Sequence, residues 1–233
     1  MVAPKFIAGE QSWHNKDMKI TKYEHACLII EEGGQKLVID PGFYTRPVDD
    51  LNDVQAIVIT HAHDDHCDAA QLRRIIELNP DVQIFSTDEV CARLRQAPDF
   101  NHPATAIHHG DFISAGNFTL EFFGDLHIEI HRSIPLIQNC AVMVNGRLYY
   151  PGDSYVQPDR PVEILACPTS APWLKIGDVM DFVSAIKPKR VFATHNIHLS
   201  EQGHELNNGR VKAVTEANGG TFEYLLPGQT VDY

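Results

Sequence analysis

Residues 60–66 read Thr-His-Ala-His-Asp-Asp-His, and they are the most informative stretch of the chain. They follow the apolar, β-branched run of residues 54–60, which is typical of a buried strand. They precede residues 69–78, where apolar side chains recur at helical spacing and stop before an Asn-Pro pair. The stretch is therefore expected at a sheet edge, between a strand and a helix.

The residue types in this stretch suit a metal site. Side chains two residues apart in an extended segment point the same way, so His61 and His63 can bind one ion. Asp65 and His66, at the turn into the helix, can face a second ion nearby. Such ligands suit a borderline metal such as zinc, manganese or iron. A solvated polar loop is the simpler interpretation, but four potential ligands between an apolar strand and a helix disfavour it.

A local cluster cannot fill two coordination spheres, so further ligands are expected at later strand ends. Asp153 follows one predicted strand in a Pro-Gly-Asp-Ser sequence, where Pro and Gly allow a sharp turn, and its carboxylate could bridge two cations. His195 and His127 follow two other predicted strands. Taken singly, each has a structural interpretation, as a turn former or as a surface or core histidine. Together, however, the three residues each follow a predicted strand, as the motif at residues 60–66 does, and this shared position favours a role as ligands.

The rest of the chain alternates strands and helices at both ends around a central β-meander. Predicted helices cover residues 69–78, 89–96, 176–185 and 209–218. Predicted strands cover residues 19–31, 35–40, 54–60, 82–86, 104–108, 112–114, 118–123, 128–130, 141–144, 147–150, 164–167, 190–194 and 221–225. Two sheets packed face to face, with helices outside, satisfy this pattern.

Composition narrows the class of protein. The chain has 233 residues, of which 43% are hydrophobic, which is enough for a real core and excludes general disorder. Its net charge of −12 disfavours a protein that coats nucleic acid or an anionic membrane. No apolar run is long enough to span a membrane. Five cysteines without regular spacing predict free thiols, and the lack of a secretory signal pattern predicts a cytoplasmic protein.

The regular strand pattern begins near Met18, which sets the predicted domain boundaries. Residues 1–17 have mixed polarity without a clean period, so they are predicted to be an N-terminal extension. Residues 18–233 contain no long polar linker and no internal repeat, so they are predicted to form a single domain.

The motif resembles the His-x-His-x-Asp-His signature of the metallo-β-lactamase-fold hydrolases. The resemblance extends to Asp-Pro-Gly at residues 40–42, to the Asp153 turn and to His195, and it covers residues 18–233. Residues 23–30, 170–176 and 193–198 are most similar to the small bacterial branch related to ascorbate-6-phosphate lactonases. The resemblance implies an α/β fold, a four-layer αββα sandwich with two mixed β-sheets flanked by helices.

The resemblance also implies a set of metal ligands shared between two ions. The implied ligands are His61, His63, Asp65, His66, His127, Asp153 and His195. His61, His63 and a later histidine would form the first site, and Asp153 would bridge to the second. His131 competes with His127 for the place of the later histidine, and His127 is preferred because it follows the longer strand directly. His198 is a lesser rival to His195.

The mechanism implied by the resemblance is hydrolysis by a hydroxide that bridges two divalent ions, with zinc first and manganese or iron as alternatives. Asp65 is the predicted catalytic residue, which ligates and orients the nucleophile. Asp40 and Asp64 are candidates for carboxylates that orient the ligating imidazoles. The predicted substrate-binding residues are His25, placed within a β-run, His131 and Trp173. A structural histidine and simple core packing are the alternatives for His25 and Trp173.

The predicted substrate is a small ester, lactone or phosphoester, expected to be anionic. The alternatives are an RNA- or phosphodiester-processing nuclease of the same fold and a non-catalytic metal-binding protein. The net charge disfavours the nuclease, and the full ligand set disfavours the non-catalytic protein. Flavodiiron-type oxidoreductases share the fold but carry glutamate at the position of His63, which favours hydrolysis here. Assembly into a homo-oligomer is left open.

Overall fold

A computed structural model describes residues 17–233, so the predicted N-terminal extension lies outside the described residues except for Asp17. The helices are α1 (Ala69–Leu78), α2 (Asp88–Gln96), α3 (Ile176–Ile186) and α4 (Glu201–Ala217). The strands are β1 (Lys19–Lys22), β2 (Leu28–Glu32), β3 (Gln35–Ile39), β4 (Val54–Ile59), β5 (Gln83–Ser86), β6 (Ala104–Ala106), β7 (Phe112–Ala115), β8 (Phe118–Phe123), β9 (Ala141–Val144), β10 (Leu148–Tyr150), β11 (Ile164–Pro168), β12 (Arg190–Thr194), β13 (Thr221–Glu223) and β14 (Gln229–Asp232).

The strands form two seven-stranded sheets, and both sheets are mixed. The order in the first sheet is β14-β1-β2-β3-β4-β5-β6, and the order in the second is β13-β12-β11-β10-β9-β8-β7. Strands β3 to β6 run parallel, as do β10 to β13, and the remaining neighbours are antiparallel. Parallel pairing requires a crossover connection, which helices α1, α2, α3 and α4 provide after β4, β5, β11 and β12, and which long loops provide after β3 and β10.

Strand alternation divides the first sheet between two cores. In β2, Leu28 and Ile30 point into the core between the sheets, whereas Ile29 faces the helices on the outer side. The outer core of this sheet includes Leu72 of α1 and Val90 of α2. Each fully buried side chain of this kind contributes about 1.5–3 kcal/mol to folding.

The second sheet is covered in the same way. Phe122 of β8 and Val142 of β9 pack into the core between the sheets. Leu165 of β11 packs outward against Phe182 of α3 and Val211 of α4. The layers therefore run helix, sheet, sheet, helix, and the predicted four-layer αββα sandwich is confirmed.

Three expectations about secondary elements are wrong, and each has a physical reason. Residues 19–31 are not one strand, because a turn separates β1 from β2 and places His25 at a φ of 57°. Residues 128–130 form no strand, since the N–H of Ile128 donates to the carbonyl of Asp153 outside any ladder. Helix α4 begins at Glu201, eight residues earlier than expected, with the Ser200 hydroxyl as its N-cap.

The missed start of α4 has a cause in its sequence. Only Asn208, Val211 and Thr215 are buried along its 17 residues, so the apolar period is weak. Gly203 and Gly209 further lower its intrinsic helix propensity. Strand β14, which pairs with β1, was not predicted either. Within the described residues, no helix is long and apolar enough to cross a membrane.

Candidate metal centre

The polar side chains predicted as ligands meet at one edge of the sandwich. His61 lies just beyond β4, Asp153 just beyond β10, and His195 just beyond β12. These strands belong to the parallel parts of the two sheets, whose carboxyl ends share an edge. The turn between β1 and β2 brings His25 to the same place, because its carbonyl accepts from the N–H of His195 at 2.8 Å.

The first ligand group contains His61, His63, His127 and Asp153. One ligand atom from each lies within 4.8 Å of the others. The Nε2 atoms of His127 and His61 lie 3.2 and 3.9 Å from Asp153 Oδ2. His63 is half-buried, and the other three side chains are buried. The structure brings His127 into this group, whereas His131 is exposed.

The second ligand group contains His25, Asp65, His66 and His195, again within 4.8 Å. Asp65 Oδ2 lies 3.0 Å from His25 Nε2 and 3.4 Å from His195 Nε2. Asp153 connects the two groups, because its Oδ1 lies 3.3 Å from His66 Nε2 and its Oδ2 lies 3.2 Å from His195 Nε2. The seven predicted ligands are therefore together, and His25 joins them.

The outer ring nitrogens of the imidazoles are held by protein oxygens. His66 Nδ1 donates to Asp40 Oδ2 at 2.6 Å, and His195 Nδ1 donates to the carbonyl of Ser170 at 2.6 Å. His127 Nδ1 donates to the carbonyl of Ile128 at 2.5 Å. A hydrogen on each Nδ1 fixes the tautomer that leaves a lone pair on Nε2. When these rings are neutral, as ligation of a metal requires, the protein therefore presents their Nε2 atoms as acceptors toward the centre.

Four buried atoms at the centre have no hydrogen-bond partner among the described residues 17–233: His61 Nε2, His66 Nε2, His195 Nε2 and Asp153 Oδ1. A buried polar atom without a partner costs about 1–3 kcal/mol, so such atoms call for an explanation. Imidazole nitrogen and carboxylate oxygen are ligands of first-row divalent metals. Because the unpartnered atoms converge on one place, the residues fit bound metal.

Two carboxylates near the motif have different environments. Asp40 is fully buried and accepts from the Thr60 N–H and the Thr60 hydroxyl, both at 2.7 Å, besides His66. It therefore orients His66, as expected. The side chain of Asp64 is 80% exposed and pairs with Arg93 on the surface. The expectation that Asp64 orients a ligand is wrong, because its carboxylate points away from the centre.

Electrostatics at the two ligating carboxylates favour a cationic neighbour. Burial opposes the charge of Asp153, but the positive charges of His195 and His66 hold the pKa of its carboxyl well below the usual range. Burial also opposes the charge of Asp65, but the imidazoles of His195 and His25, which lie 3.4 and 3.0 Å from its Oδ2, outweigh burial and lower the pKa of this carboxyl. Both groups are therefore ionised and available as ligands near neutral pH.

The imidazoles divide according to their nearest charges. Burial lowers the pKa of His61 well below its ordinary value, and the charge of His66 acts in the same direction. Burial also opposes charge on His195, but Asp153 outweighs it and raises the pKa to about 9. The pKa of His66 is raised against burial by Asp153 and Asp40. Positive charge is thus stabilised between the two ligand groups.

The predicted substrate-binding residues lie in three different settings. Trp173 Nε1 donates to Asp153 Oδ2 at 2.8 Å, and its ring packs 5.8 Å from that of His127. His131 is exposed on the loop after β8, with Nδ1 hydrogen-bonded to the Ser133 hydroxyl at 2.7 Å. His25 is 1% exposed and contacts Asp65. Their contact with substrate stays a prediction.

Sequence reasoning missed two residues that shape the centre. A Cβ on Gly42 would lie 1.8 Å from the carbonyl oxygen of Asp65, so only glycine allows this loop to reach the motif. The Asp-Pro-Gly sequence could have signalled that approach. Asn139 accepts from the Asp153 N–H at 3.0 Å and donates to the Pro151 carbonyl at 3.0 Å. Nothing in the local sequence marks Asn139.

The fold and the two ligand groups define a metal-binding protein of the metallo-β-lactamase fold. A family model described as a β-lactamase superfamily domain matches residues 19–195, and the chain belongs to this superfamily. Protein Rv0786c of Mycobacterium tuberculosis is 32% identical over 203 residues, which is 85% of this chain and 93% of that protein. A UPF0173 metal-dependent hydrolase of Carboxydothermus hydrogenoformans is 25% identical over 241 residues, which is 92% of this chain and 99% of that protein.

Solved structures show the same fold at low identity. Igni18, a metallo hydrolase from the archaeon Ignicoccus hospitalis, matches with a TM-score of 0.70 and 19% identity over 93% of this chain and 98% of that one. The metallo-β-lactamase fold protein YhfI of Bacillus subtilis matches with a TM-score of 0.70 and 17% identity over 94% of this chain and 100% of that one. The predicted superfamily and enzyme class, a metal-dependent hydrolase, are confirmed. The similarity to ascorbate-6-phosphate lactonases stays a prediction.

Proposed function

We propose that this chain is a dinuclear hydrolase that cleaves a small ester, lactone or phosphoester. The observation that carries the proposal is the pair of ligand groups joined by Asp153, with buried, unpartnered atoms directed at the space between them. A solvated polar loop would not bury these atoms, and a single-ion site would not need two groups.

The ligands divide as two divalent ions would require. The first ion would be held by His61, His63 and His127, and the second by Asp65, His66 and His195. Asp153 lies within 3.3 Å of imidazoles from both groups, so its two oxygens can serve both ions. Zinc suits this set of nitrogen and oxygen ligands best, with manganese or iron as alternatives.

Two divalent ions held by these residues would lower the pKa of a bound water and polarise the group that it attacks. Asp65 is the carboxylate proposed to orient the nucleophile. Its side chain is 22% exposed, whereas that of Asp153 is 3% exposed, so Asp65 alone of the two faces the open side of the centre. The positions of both carboxylates are fixed by hydrogen bonds before substrate arrives.

His25 is proposed to position Asp65. Its Nδ1 accepts from the N–H of Ile197 at 3.4 Å, which leaves the ring hydrogen on Nε2, and Nε2 then donates to Asp65 Oδ2 at 3.0 Å. A ring nitrogen that carries hydrogen cannot ligate a metal. His25 therefore acts through Asp65 rather than as a further ligand, and the backbone of its turn also holds His195.

The setting of the enzyme is also part of the proposal. All five cysteines are free and buried, which suits a reducing compartment and supports a cytoplasmic location. Burial raises the pKa of the Cys67 thiol, next to the motif, to about 12, so this thiol is neutral and packs rather than ligates. The substrate is proposed to be a small molecule, attracted at its reacting group to the two cations.

Adjacent aspartates provide the test of catalysis. We would assay wild type, Asp65→Asn and Asp64→Asn against panels of lactones, thioesters, carboxylic esters and phosphodiesters, with bound metal measured in each sample. Asp65→Asn should lower kcat/KM by about 10²–10⁴-fold, as expected for loss of a positioned catalytic group, and Asp64→Asn should match wild type. Wild-type rates in Asp65→Asn would contradict the proposed role of this carboxylate.

A further inference from the structure

Exposed apolar side chains surround the metal centre. They lie on the three loops that follow β3, β8 and β12, whose other residues include the ligands or their neighbours. These side chains, the apolar rim, are Phe43, Tyr44, Leu126, Ile134, Leu136 and Ile197. Exposed large apolar groups gathered at one place mark an interaction site.

One half of the rim is aliphatic and borders the first ligand group. Ile134, Pro135 and Leu136 line a shallow open cleft at the surface, whose enclosed volume is only about 10 Å³. The same cleft is lined by His63 and His127, two of the proposed ligands. A molecule whose reacting group lies at the ligands can therefore extend directly into an aliphatic surface.

The other half of the rim is aromatic and borders the second ligand group. The Tyr44 ring packs edge-on against His25 at 5.3 Å and against His198 at 4.9 Å. Phe43 packs 5.9 Å from Tyr44, and its N–H donates to the carbonyl of Asp64 at 2.8 Å. These contacts fix the aromatic half to the loop that carries the ligands.

Arg46 and Arg93, two arginines close to the ligand loops, are already paired, whereas the exposed Arg132, on the loop that carries Ile134, has no ion pair with the described residues. Arg46, on the loop that carries the aromatic half, lies 2.5 Å from the carboxylate of Glu24. Arg93 pairs with Asp64. Their charges are neutralised by protein carboxylates, so recognition of a substrate tail at these positions depends on apolar contact rather than on charge.

We propose that the apolar rim binds an alkyl or aryl substituent, and that the substrate is a carboxylic ester or lactone bearing such a group. This inference rests on the proposed function. Water adds to the acyl carbon, the acyl carbon–oxygen bond breaks, and the proton passes to the leaving oxygen, so the products are an acid and an alcohol. The occupant is the substrate itself, because the cleft and the first ligand group share His63 and His127.

The test uses chain length as its variable. We would measure kcat/KM for p-nitrophenyl esters from acetate to decanoate with metal-loaded protein. We would also measure binding of the matching carboxylates by calorimetry, which needs no turnover. Full burial of a methylene would raise kcat/KM and the binding constant about 4-fold, so on this open surface we expect a rise of up to about 4-fold per methylene until the rim is covered.

A double variant and a matched control locate the effect. Ile134→Ser with Leu136→Ser should reduce the dependence on chain length to near zero in both measurements. Leu78→Ser removes an equally exposed leucine, 45% exposed on α1, and should keep the dependence of wild type. Metal content and thermal unfolding show whether the double variant is folded.

The outcomes separate this inference from the proposed function. Equal kcat/KM for all esters from acetate to decanoate would overturn the rim and leave the hydrolase proposal intact. Hydrolysis of phosphodiesters but of no carboxylic ester would have the same two consequences. A dependence that persists in the double variant would also overturn it. If no ester is hydrolysed, the proposed function fails for esters, and calorimetry then tests the rim. Carboxylate binding that strengthens with chain length in wild type but not in the double variant would support the rim. Carboxylate binding that does not depend on chain length in wild type would overturn it.

Discussion

The two ligand groups share Asp153 but differ in how the protein holds them. In the second group, His66 is tied to Asp40, His195 to the Ser170 carbonyl, and Asp65 to His25, with the imidazoles buried. In the first group, His63 is half-buried and lies beside the open cleft with His127. The difference lies at His63, which is the half-buried imidazole of the centre and borders the cleft, whereas His61 and His127 of its own group are buried like His66 and His195.

Removal of one histidine from each group gives the largest expected contrast. His66→Ala should lose the second ion and destabilise the protein by about 3–5 kcal/mol, because the buried carboxylate of Asp40 loses its imidazole partner and keeps only the two hydrogen bonds from Thr60. His63→Ala should lose the first ion but lower the free energy of unfolding by less than about 1 kcal/mol, because substitutions at half-exposed positions remove little packing. Elemental analysis and denaturant unfolding of both variants check this. Equal destabilisation would contradict the difference between the groups.

The two candidate histidines for the first group give the next contrast. His127→Ala should lose the first ion, because His127 Nε2 lies 3.2 Å from Asp153. His131→Ala should keep two ions per chain, because its ring is exposed and bonded to Ser133. Metal content of the purified variants, after equal exposure to metal, measures both. Loss of an ion from His131→Ala alone would reverse the assignment.

The support of His66 by Asp40 predicts a smaller effect. Asp40→Asn should weaken metal binding about 10–100-fold, the usual cost of losing a group that orients a ligand. Asparagine tolerates the left-handed backbone at this position, where φ is 48°, so the fold should survive. Competition with a chromophoric chelator measures the affinity. Asp64→Asn is the control and should bind metal like wild type; an unchanged affinity in Asp40→Asn would argue against this support.

The smallest expected effect concerns the residue that both groups share. Trp173→Phe removes the hydrogen bond to Asp153 Oδ2 but keeps an aromatic ring, and should weaken metal binding about 3–10-fold. Tyr155→Phe is the matched control, because its buried hydroxyl has no hydrogen-bond partner in the part of the chain that the structure describes, and its ring packs 5.5 Å from Trp173. The same chelator competition applies. Equal effects of the two substitutions would assign the loss to packing instead.

The ligands that follow strand ends could be predicted from the sequence, because strand geometry places them. His61, Asp153 and His195 each come directly after an apolar run, and parallel strands bring such positions to one edge. The two-residue spacing of the motif also survives in the structure, since His61 and His63 belong to one group. Periodicity sufficed for these residues.

The surroundings of the centre could not be predicted in the same way. His25 was expected within a strand, but its carbonyl and ring bond to His195 and Asp65, which lie far away in sequence. Asn139 contacts Asp153 from a loop without regular spacing. Such contacts depend on how loops pack across the two sheets, and local sequence patterns carry no signal for that packing.

The most direct test of the account counts ions in wild type and in Asp153→Asn by elemental analysis, after saturation with zinc or manganese and removal of excess metal. Because Asp153 contacts imidazoles of both groups, we expect two ions per chain in wild type and at most one in the variant. Fewer than one ion per wild-type chain, or two ions retained by Asp153→Asn, would contradict a centre built on this shared carboxylate.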